Sequence, residues 1–298
     1  AGTQVIDQPN LPTRPNILWL VAEDLSPIIS SFGDDTVATP NLDRLAAEGV
    51  RYTRVFSTSG VCAPSRAAIA TGMYQNRIGA QHMRTTNVSG FGVEGLIAYE
   101  AVPPPYVKMH SQYFREAGYY TSNNAKEDYQ FRKAVTAWDE SSNQAHWRNR
   151  ASGQPFFSIF NFGITHESQV WAQAENPLRV PEDLEVPIPP YLPDTEIARQ
   201  DIRRVYSNII AMDEQVGRIL DELEADGLLE STVIFWYTDH GGPLPRQKRL
   251  LYDAGLQVPM IIRYPDGWRA GESDEQLISF VDFKSTALSL AGMEPPDY

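Results

Sequence analysis

An α/β fold with a mostly parallel central sheet and helices on both faces is what this sequence predicts, on three observations. Apolar runs without polar alternation, as in strands buried on both faces, recur at Asn16–Ala22, Phe156–Phe162, 233–238 and 258–263. Segments with helical spacing separate them, so strand and helix alternate along the chain. Acidic and histidine residues stand just past two of these runs, where ligands collect in open α/β sheets.

Taken in order, Asn16–Ala22 is a central strand ending at Glu23-Asp24. Thr39-Pro40 opens a helix that presents Leu42, Leu45 and Ala46 on one face and stops at Gly49. A strand follows over Val50–Phe56. Pro64 then starts an alanine-rich helix over 64–71, closed by Gly72, which leaves Cys62 just before the helix N-terminus. A helix over 106–117 ends at Gly118, and a short strand occupies 119–122. The Pro-rich stretch 177–193 reads equally as a rigid surface connection or as a substrate-lining segment. The longest helix covers 194–226, because Ile202, Val205, Ile209, Met212, Val216, Ile219, Leu220 and Leu223 recur at helical spacing. The strand at 233–238 delivers Asp239-His240-Gly241, 258–263 is a further strand, and 281–291 a final helix.

Composition narrows the function classes. At 298 residues, one large domain spanning 1–298 is the expectation. A formal charge of −13 argues against nucleic acid or an anionic membrane as a general partner, so an anionic substrate needs a local basic pocket. No apolar run is long enough for a membrane span. The opening residues 1–15 are polar and Pro-containing, unlike a signal peptide, and a start at Ala1 rather than Met reads as processed or shortened. The single cysteine excludes an internal disulfide and draws attention to Cys62 as a nucleophile or modification site.

A lone cysteine is most often a small buried hydrophobe. Its surroundings change that reading. Cys62-Ala63-Pro64-Ser65-Arg66 has four fixed positions in five, a pattern expected by chance in about 0.002 of chains this long at about 5% usage per residue. Free amides at the helix start face Cys62 and Arg66 adds a planar positive fork, a setting for an anion and an anionic nucleophile. Glu23-Asp24 and Asp239-His240 close two strands, and carboxylates gathered away from water repel unless a cation joins them, so a divalent metal is implied.

Cys-x-Pro-Ser-Arg followed by an Ala-rich helix and Thr71-Gly72 resembles the signature of the type I sulfatases of the alkaline phosphatase superfamily. The resemblance runs from Pro15-Asn16-Ile17 to the helix at 281–291, and in motif order it is nearest to carbohydrate sulfatases such as the N-sulfoglucosamine sulfohydrolases. It implies that Cys62 is oxidised to formylglycine by a formylglycine-generating enzyme. The hydrated aldehyde then attacks sulfur and later expels sulfate by re-forming the aldehyde, an exit a thiol lacks. It also implies a calcium ion held by Glu23, Asp24, Asp239, His240 and the modified Cys62. Two positions depart from the family: Glu23 stands where Asp is usual, and His240 where Asn is common. Oxygen donors favour calcium over magnesium or manganese.

The same resemblance carries Lys126 over as a sulfate contact, although Ala125 and Asp128 replace the Gly and His of the family's Gly-Lys-x-His, and Asp128 is expected to orient Lys126. His166, in Thr165-His166-Glu167-Ser168, is the general-acid candidate. Lys248, nine residues past Asp239, corresponds to a second sulfate-binding cation, with Arg249 as its neighbouring alternative. His82 and Arg84 are expected to contact substrate, while His146-Trp147-Arg148 reads as a packed loop. The implied activity is hydrolysis of sulfate esters on a sulfated carbohydrate, with a periplasmic or secreted location. Phosphonate or phosphate monoester hydrolysis remains the enzymatic alternative, and sulfated-glycan binding without turnover the other. Family members continue past the last helix into a smaller C-terminal subdomain, which is not evident before Tyr298.

Overall fold

The computed structural model describes residues 8–85, 95 and 98–297; residues 1–7 of the opening segment and Tyr298 lie outside it. Its strands are β1 (Asn16–Ala22), β2 (Val50–Phe56), β3 (Tyr120–Asn124), β4 (Glu140–Ser141), β5 (Phe156–Phe162), β6 (Thr232–Thr238), β7 (Gln257–Arg263), β8 (Ser273–Asp274) and β9 (Ile278–Ser279). They form one sheet in the order β4-β3-β5-β1-β6-β7-β2-β8, with β9 also on β2. Every pairing is parallel except those of β7, which runs antiparallel to both β6 and β2. The fold is therefore the expected mostly parallel α/β type.

β1 shows why the sheet needs helices on both faces. All seven of its residues are buried, and successive side chains alternate between faces. Ile17, Trp19 and Val21 join one core, lined by α2 (Cys62–Thr71), α3 (His110–Glu116) and α7 (Asp282–Leu290). Leu18, Leu20 and Ala22 join the other, covered by α1 (Pro40–Glu48) and α5 (Glu196–Ala225). α5 buries Ile202, Val205, Ile209, Met212, Val216, Leu220 and Leu223, a single apolar stripe. It also secures α1: the buried Asp213 carboxylate accepts from the amides of Asn41 (3.2 Å) and Leu42 (2.9 Å), two donors that a helix start leaves unpaired.

Some boundaries differ from expectation. Cys62 is the first residue of α2, with Val61 as its N-cap. Pro64 lies in the first turn, where its missing N–H forfeits no intrahelical bond. The helix expected from 106 begins only at His110, after Pro103-Pro104-Pro105 and a turn closed by the Val107 amide on the Pro104 carbonyl. The strand expected over 119–122 extends to Asn124, because its pairing with β5 continues to Asn124 opposite Phe160. Among the described residues no helix is long and apolar enough to cross a membrane.

Trp19 sits at the centre of the first core, with ring centroids of His110, Phe157, Tyr237, Phe235 and Phe283 between 5.1 and 6.3 Å away. We expect Trp19→Ala to lower stability by about 3–5 kcal/mol in a denaturant titration. His110 is buried here without a hydrogen-bond partner for Nδ1. Burial, and then the Lys284 charge, push its pKa down to about 3. The unfolded chain takes up this proton near pH 6.5 and the folded chain only near 3, so stability falls with pH across that window, by about 1.4 kcal/mol per unit from this group. Measured from pH 6.5 to 4.5, wild-type stability should carry that slope as pH falls and His110→Phe should lack it.

Candidate active site

Parallel strands end together, and the polar side chains that follow them meet at one edge of the sheet. β1 is followed by Glu23 and Asp24, β3 by Lys126, β5 by His166, and β6 by Asp239 and His240. α2 adds Cys62, Ser65 and Arg66 from its first turns. Lys248 arrives from the loop before α6 (Asp253–Leu256).

Asp24 is the hub. Its own amide donates to Asp239 Oδ1 at 3.1 Å, in a left-handed backbone conformation with φ of 45°. Its Oδ1 accepts from His240 Nε2 (2.9 Å), and its Oδ2 from the Glu167 amide (2.7 Å) and Lys248 Nζ (2.5 Å). Cys62 Sγ lies 3.7 Å from Asp24 Oδ1, 3.3 Å from His240 Nε2 and 3.6 Å from Lys248 Nζ. Asp24, Cys62, Asp239 and His240 are all fully buried.

Burial alone would raise the pKa of Asp24, but the charges and hydrogen bond of His240, with Lys248 and His166, outweigh it and hold the carboxyl well below its ordinary value. Asp239 is lowered in the same way, by His240, Arg66 and Lys126 against burial. The His240 imidazolium is disfavoured by burial, yet Asp239 and Asp24 hold its pKa well above the usual value. Its Nδ1 donates to the Gly241 carbonyl at 2.9 Å, which leaves Nε2 as the nitrogen facing the cluster.

Arg66 is fixed at two points: Nε donates to Asp239 Oδ2 (2.9 Å) and Nη1 to Asn161 Oδ1 (2.7 Å). Its Nη2 is buried with no hydrogen-bond partner, a free donor that an anion can satisfy. Lys126 Nζ donates to Glu23 Oε2 at 2.5 Å. The expected orienting role of Asp128 takes another form. Asp128 makes a bidentate pair with Arg84 (3.0 and 2.6 Å) and stands 3.7 Å from Lys126, so one carboxylate sits between two cations.

His166 Nε2 lies 3.2 Å from Lys248 Nζ, and its Nδ1 2.8 Å from Ser168 Oγ at the start of α4 (Ser168–Ala172). Burial, with Lys248 and Lys126 nearby, lowers its pKa despite the opposing charges of Asp24 and Glu23. His166 is thereby pushed toward its neutral form beside Lys248, for which burial is outweighed by Asp24, so that the lysine is held charged. Arg249 stands apart from this centre, more exposed, and grips Glu167 with both guanidinium arms (2.7 and 2.5 Å). Glu167 in turn gives its amide to Asp24, so Arg249 holds a residue that positions the hub. His82 is exposed, with its ring edge-on to Tyr99 at 6.1 Å. In the packed loop, Trp147 is fully buried and Arg148 pairs with Asp226 and Glu222.

Sequence reasoning passed over Asn161, Ser65, Thr165 and Glu167. Ser65 Oγ donates to the Asp239 carbonyl (2.5 Å), and Thr165 Oγ1 accepts from the Glu23 amide (3.2 Å). Asn161 had a visible signal, being a polar residue near the end of the otherwise apolar β5. The others act through backbone groups, which residue type does not reveal.

The donor set suits a metal. Glu23, Asp24, Cys62 and His166 form one group, and Asp24, Cys62, Asp239 and His240 a second, with ligand atoms within 4.8 Å of one another in each. Buried carboxylates clustered this closely favour a divalent cation, and Asp24 and Cys62 belong to both groups.

Comparison with known proteins agrees with this geometry. The description of the sulfatase family matches residues 15–152 and 139–293. An ulvan-active sulfatase of Formosa agariphila is 53% identical over 97% of this chain and 54% of its own length. Human N-sulphoglucosamine sulphohydrolase is 27% identical over 96% of the chain and 62% of its own length. The chain belongs to the sulfatase family, and it spans about half to two thirds of the length of these relatives. Among solved structures, a protein in complex with its substrate D-glucosamine-2-N,6-O-disulfate superposes with a TM-score of 0.70 at 19% identity, covering 95% of this chain and 78% of that one. The phosphonate monoester hydrolase of Agrobacterium radiobacter superposes with a TM-score of 0.69 at 18% identity, covering 95% and 74%. At such identities these two share the fold.

If the cluster holds a cation, saturating calcium at about 100 times its dissociation constant should stabilise the protein by about 2.7 kcal/mol. Thermal melts of wild type and Asp239→Asn with and without calcium check this, the variant being expected to show no response.

Proposed function

We propose that this chain carries the catalytic centre of a sulfatase acting on a sulfated carbohydrate, with Cys62 converted to formylglycine and calcium as the metal. The observation that carries the reading is the convergence on Cys62 of three buried carboxylates, Glu23, Asp24 and Asp239, and three cations, Arg66, Lys126 and Lys248. These charges offset one another. A divalent cation then leaves the site net positive, as a sulfate ester and the charge developing at its transition state require. The 53% identity to a protein that acts on ulvan supports a polysaccharide-derived substrate.

Glu23, Asp24, Asp239 and His240 would hold the metal, whose chemistry is to draw charge from the sulfate oxygens and lower the barrier to attack. Oxygen donors predominate among them, which suits a hard cation such as calcium. Formylglycine at position 62 supplies a hydroxyl nucleophile together with a second hydroxyl that lets the site regenerate. Converting a thiol carbon to an aldehyde is an oxidation that no group of this site performs, so a separate maturation enzyme is part of the reading.

The chain's own residues do the rest. Arg66 holds Asp239 through Nε and offers Nη2 to an anion, while Lys126 and Lys248 flank Cys62 as sulfate contacts. His166, whose Nε2 faces the cluster, is the group placed to give a proton to the departing alcohol oxygen. Glu167 and Arg249 fix the hub from outside. A periplasmic or secreted location follows from a polymeric substrate, which does not cross a membrane intact.

Loss of one cationic sulfate contact should cost about 3 kcal/mol of transition-state stabilisation, about 100-fold in rate. Lys248→Ala assayed for sulfate release should show that loss, and a rate within a few-fold of wild type would refute the role. Matched sulfate and phosphate esters separate a sulfatase from a phosphonate or phosphate monoesterase. Peptide mass across Cys62 in protein from its native host decides the remaining reading: thiol alone would leave a glycan-binding protein.

A further inference from the structure

The loop that delivers Lys248 inward also builds an outward-facing cleft. Tyr191, Arg246, Leu251, Tyr252, Asp253 and Ala254 line a space of about 460 Å³. The Arg246 guanidinium lies 5.6 Å from the ring centroid of Tyr191 and 5.6 Å from that of Tyr252. Two aromatic rings thus lie close to the cation, and its N–H groups are left for a hydrogen-bond acceptor. Among the described residues no carboxylate pairs with it, Asp253 included, although the chain carries a charge of −13. Arg246 is exposed and has a φ of 64°, a left-handed conformation uncommon for arginine that clusters at functional sites.

The cleft is anchored to the catalytic cluster. Gln247, beside Arg246, is buried; its Oε1 accepts from the Leu244 amide (3.1 Å) and its Nε2 donates to Tyr191 Oη (3.0 Å). That bond ties the Pro-rich segment 177–193 to the Lys248 loop. Ala254, on the cleft wall, accepts through its carbonyl from Ser26 Oγ (2.9 Å) and the Gly242 amide (2.9 Å), from the loops that follow Asp24 and His240. Leu251 and Tyr252 are 78% and 55% exposed, an apolar wall and an aromatic face beside a cation.

The geometry points to a glycan subsite here, for an anionic sugar unit adjoining the one whose sulfate is cleaved; this rests on the carbohydrate sulfatase reading. The Arg246 edge takes the carboxylate or sulfate of that unit, and the Tyr252 ring and Leu251 take its C–H face. Spacing supports the link: Arg246 and Lys248 are two residues apart, at most about 7 Å along the chain.

Calorimetric binding to Cys62→Ala protein, which cannot turn over, tests the subsite. The probes are a sulfated oligosaccharide with a uronate on the neighbouring unit, its carboxyl-reduced form, and a neutral oligosaccharide of equal length. Arg246→Gln should weaken binding of the first probe about tenfold and leave the neutral one unchanged, with Arg246→Lys recovering part of the loss and Tyr252→Ala also weakening binding. If carboxyl reduction abolishes the Arg246 dependence, the carboxylate is the group held; if the dependence survives, it is the neighbouring sulfate. Equal binding of the anionic probe by wild type and Arg246→Gln overturns the subsite, as does equal weakening of anionic and neutral probes, which would make Arg246 a prop for its loop. Because binding is read without turnover, a failed subsite leaves the Lys248 rate loss standing. A protein that binds the anionic probe through Arg246 yet releases no sulfate would instead sink the hydrolase reading alone.

Discussion

The Asp24 carboxylate is the interaction on which the site depends. It is fully buried, and isolated from water it would be costly to ionise. It stays charged because a lysine, a histidine and a backbone amide each reach it from a different part of the chain, while its own amide holds Asp239. Removing any one of these partners exposes the rest of the cluster to uncompensated charge. The arrangement therefore behaves as one unit, with Cys62 at its edge and the sheet supplying its rigidity.

That rigidity comes from the two cores on either side of β1. Alternate residues of one seven-residue strand are buried against opposite layers of helices, so the position of Asp24 just past its end is determined from both faces. β6, in parallel register with β1, sets Asp239 and His240 beside it. Backbone contacts finish the assembly. Gly241 is essential there because a Cβ would collide with the Ala254 carbonyl, whose segment must come this close for the Lys248 loop to close over the cluster.

Much of this was legible in the chain itself. Buried strands announce themselves as unbroken apolar runs, and the acidic pairs at their ends mark the ligand edge. The Cys62 motif carries its own chemical logic in five consecutive residues. Less legible were the partners. Asp128 stands in the right neighbourhood by sequence, but its pairing with Arg84 joins residues 44 positions apart. Arg249 and Lys248 are adjacent and equally cationic, and nothing in their order says that one reaches the buried carboxylate while the other grips Glu167 from the exposed rim. The Pro-rich segment offers two equal readings in the sequence, and its tie to the Lys248 loop through Tyr191 and Gln247 is a tertiary contact.

The main strands and helices, their α/β alternation, the Cys62 motif and the acidic ends of two strands can be read from the chain alone, because periodicity and motif chemistry are local properties. Which cation meets which carboxylate, that burial beside Lys248 pushes His166 toward its neutral form, and that Arg246 lies exposed close to two tyrosines come from the tertiary structure. Those outcomes depend on distance and burial across parallel strands and long connections, and electrostatic energies change steeply with both.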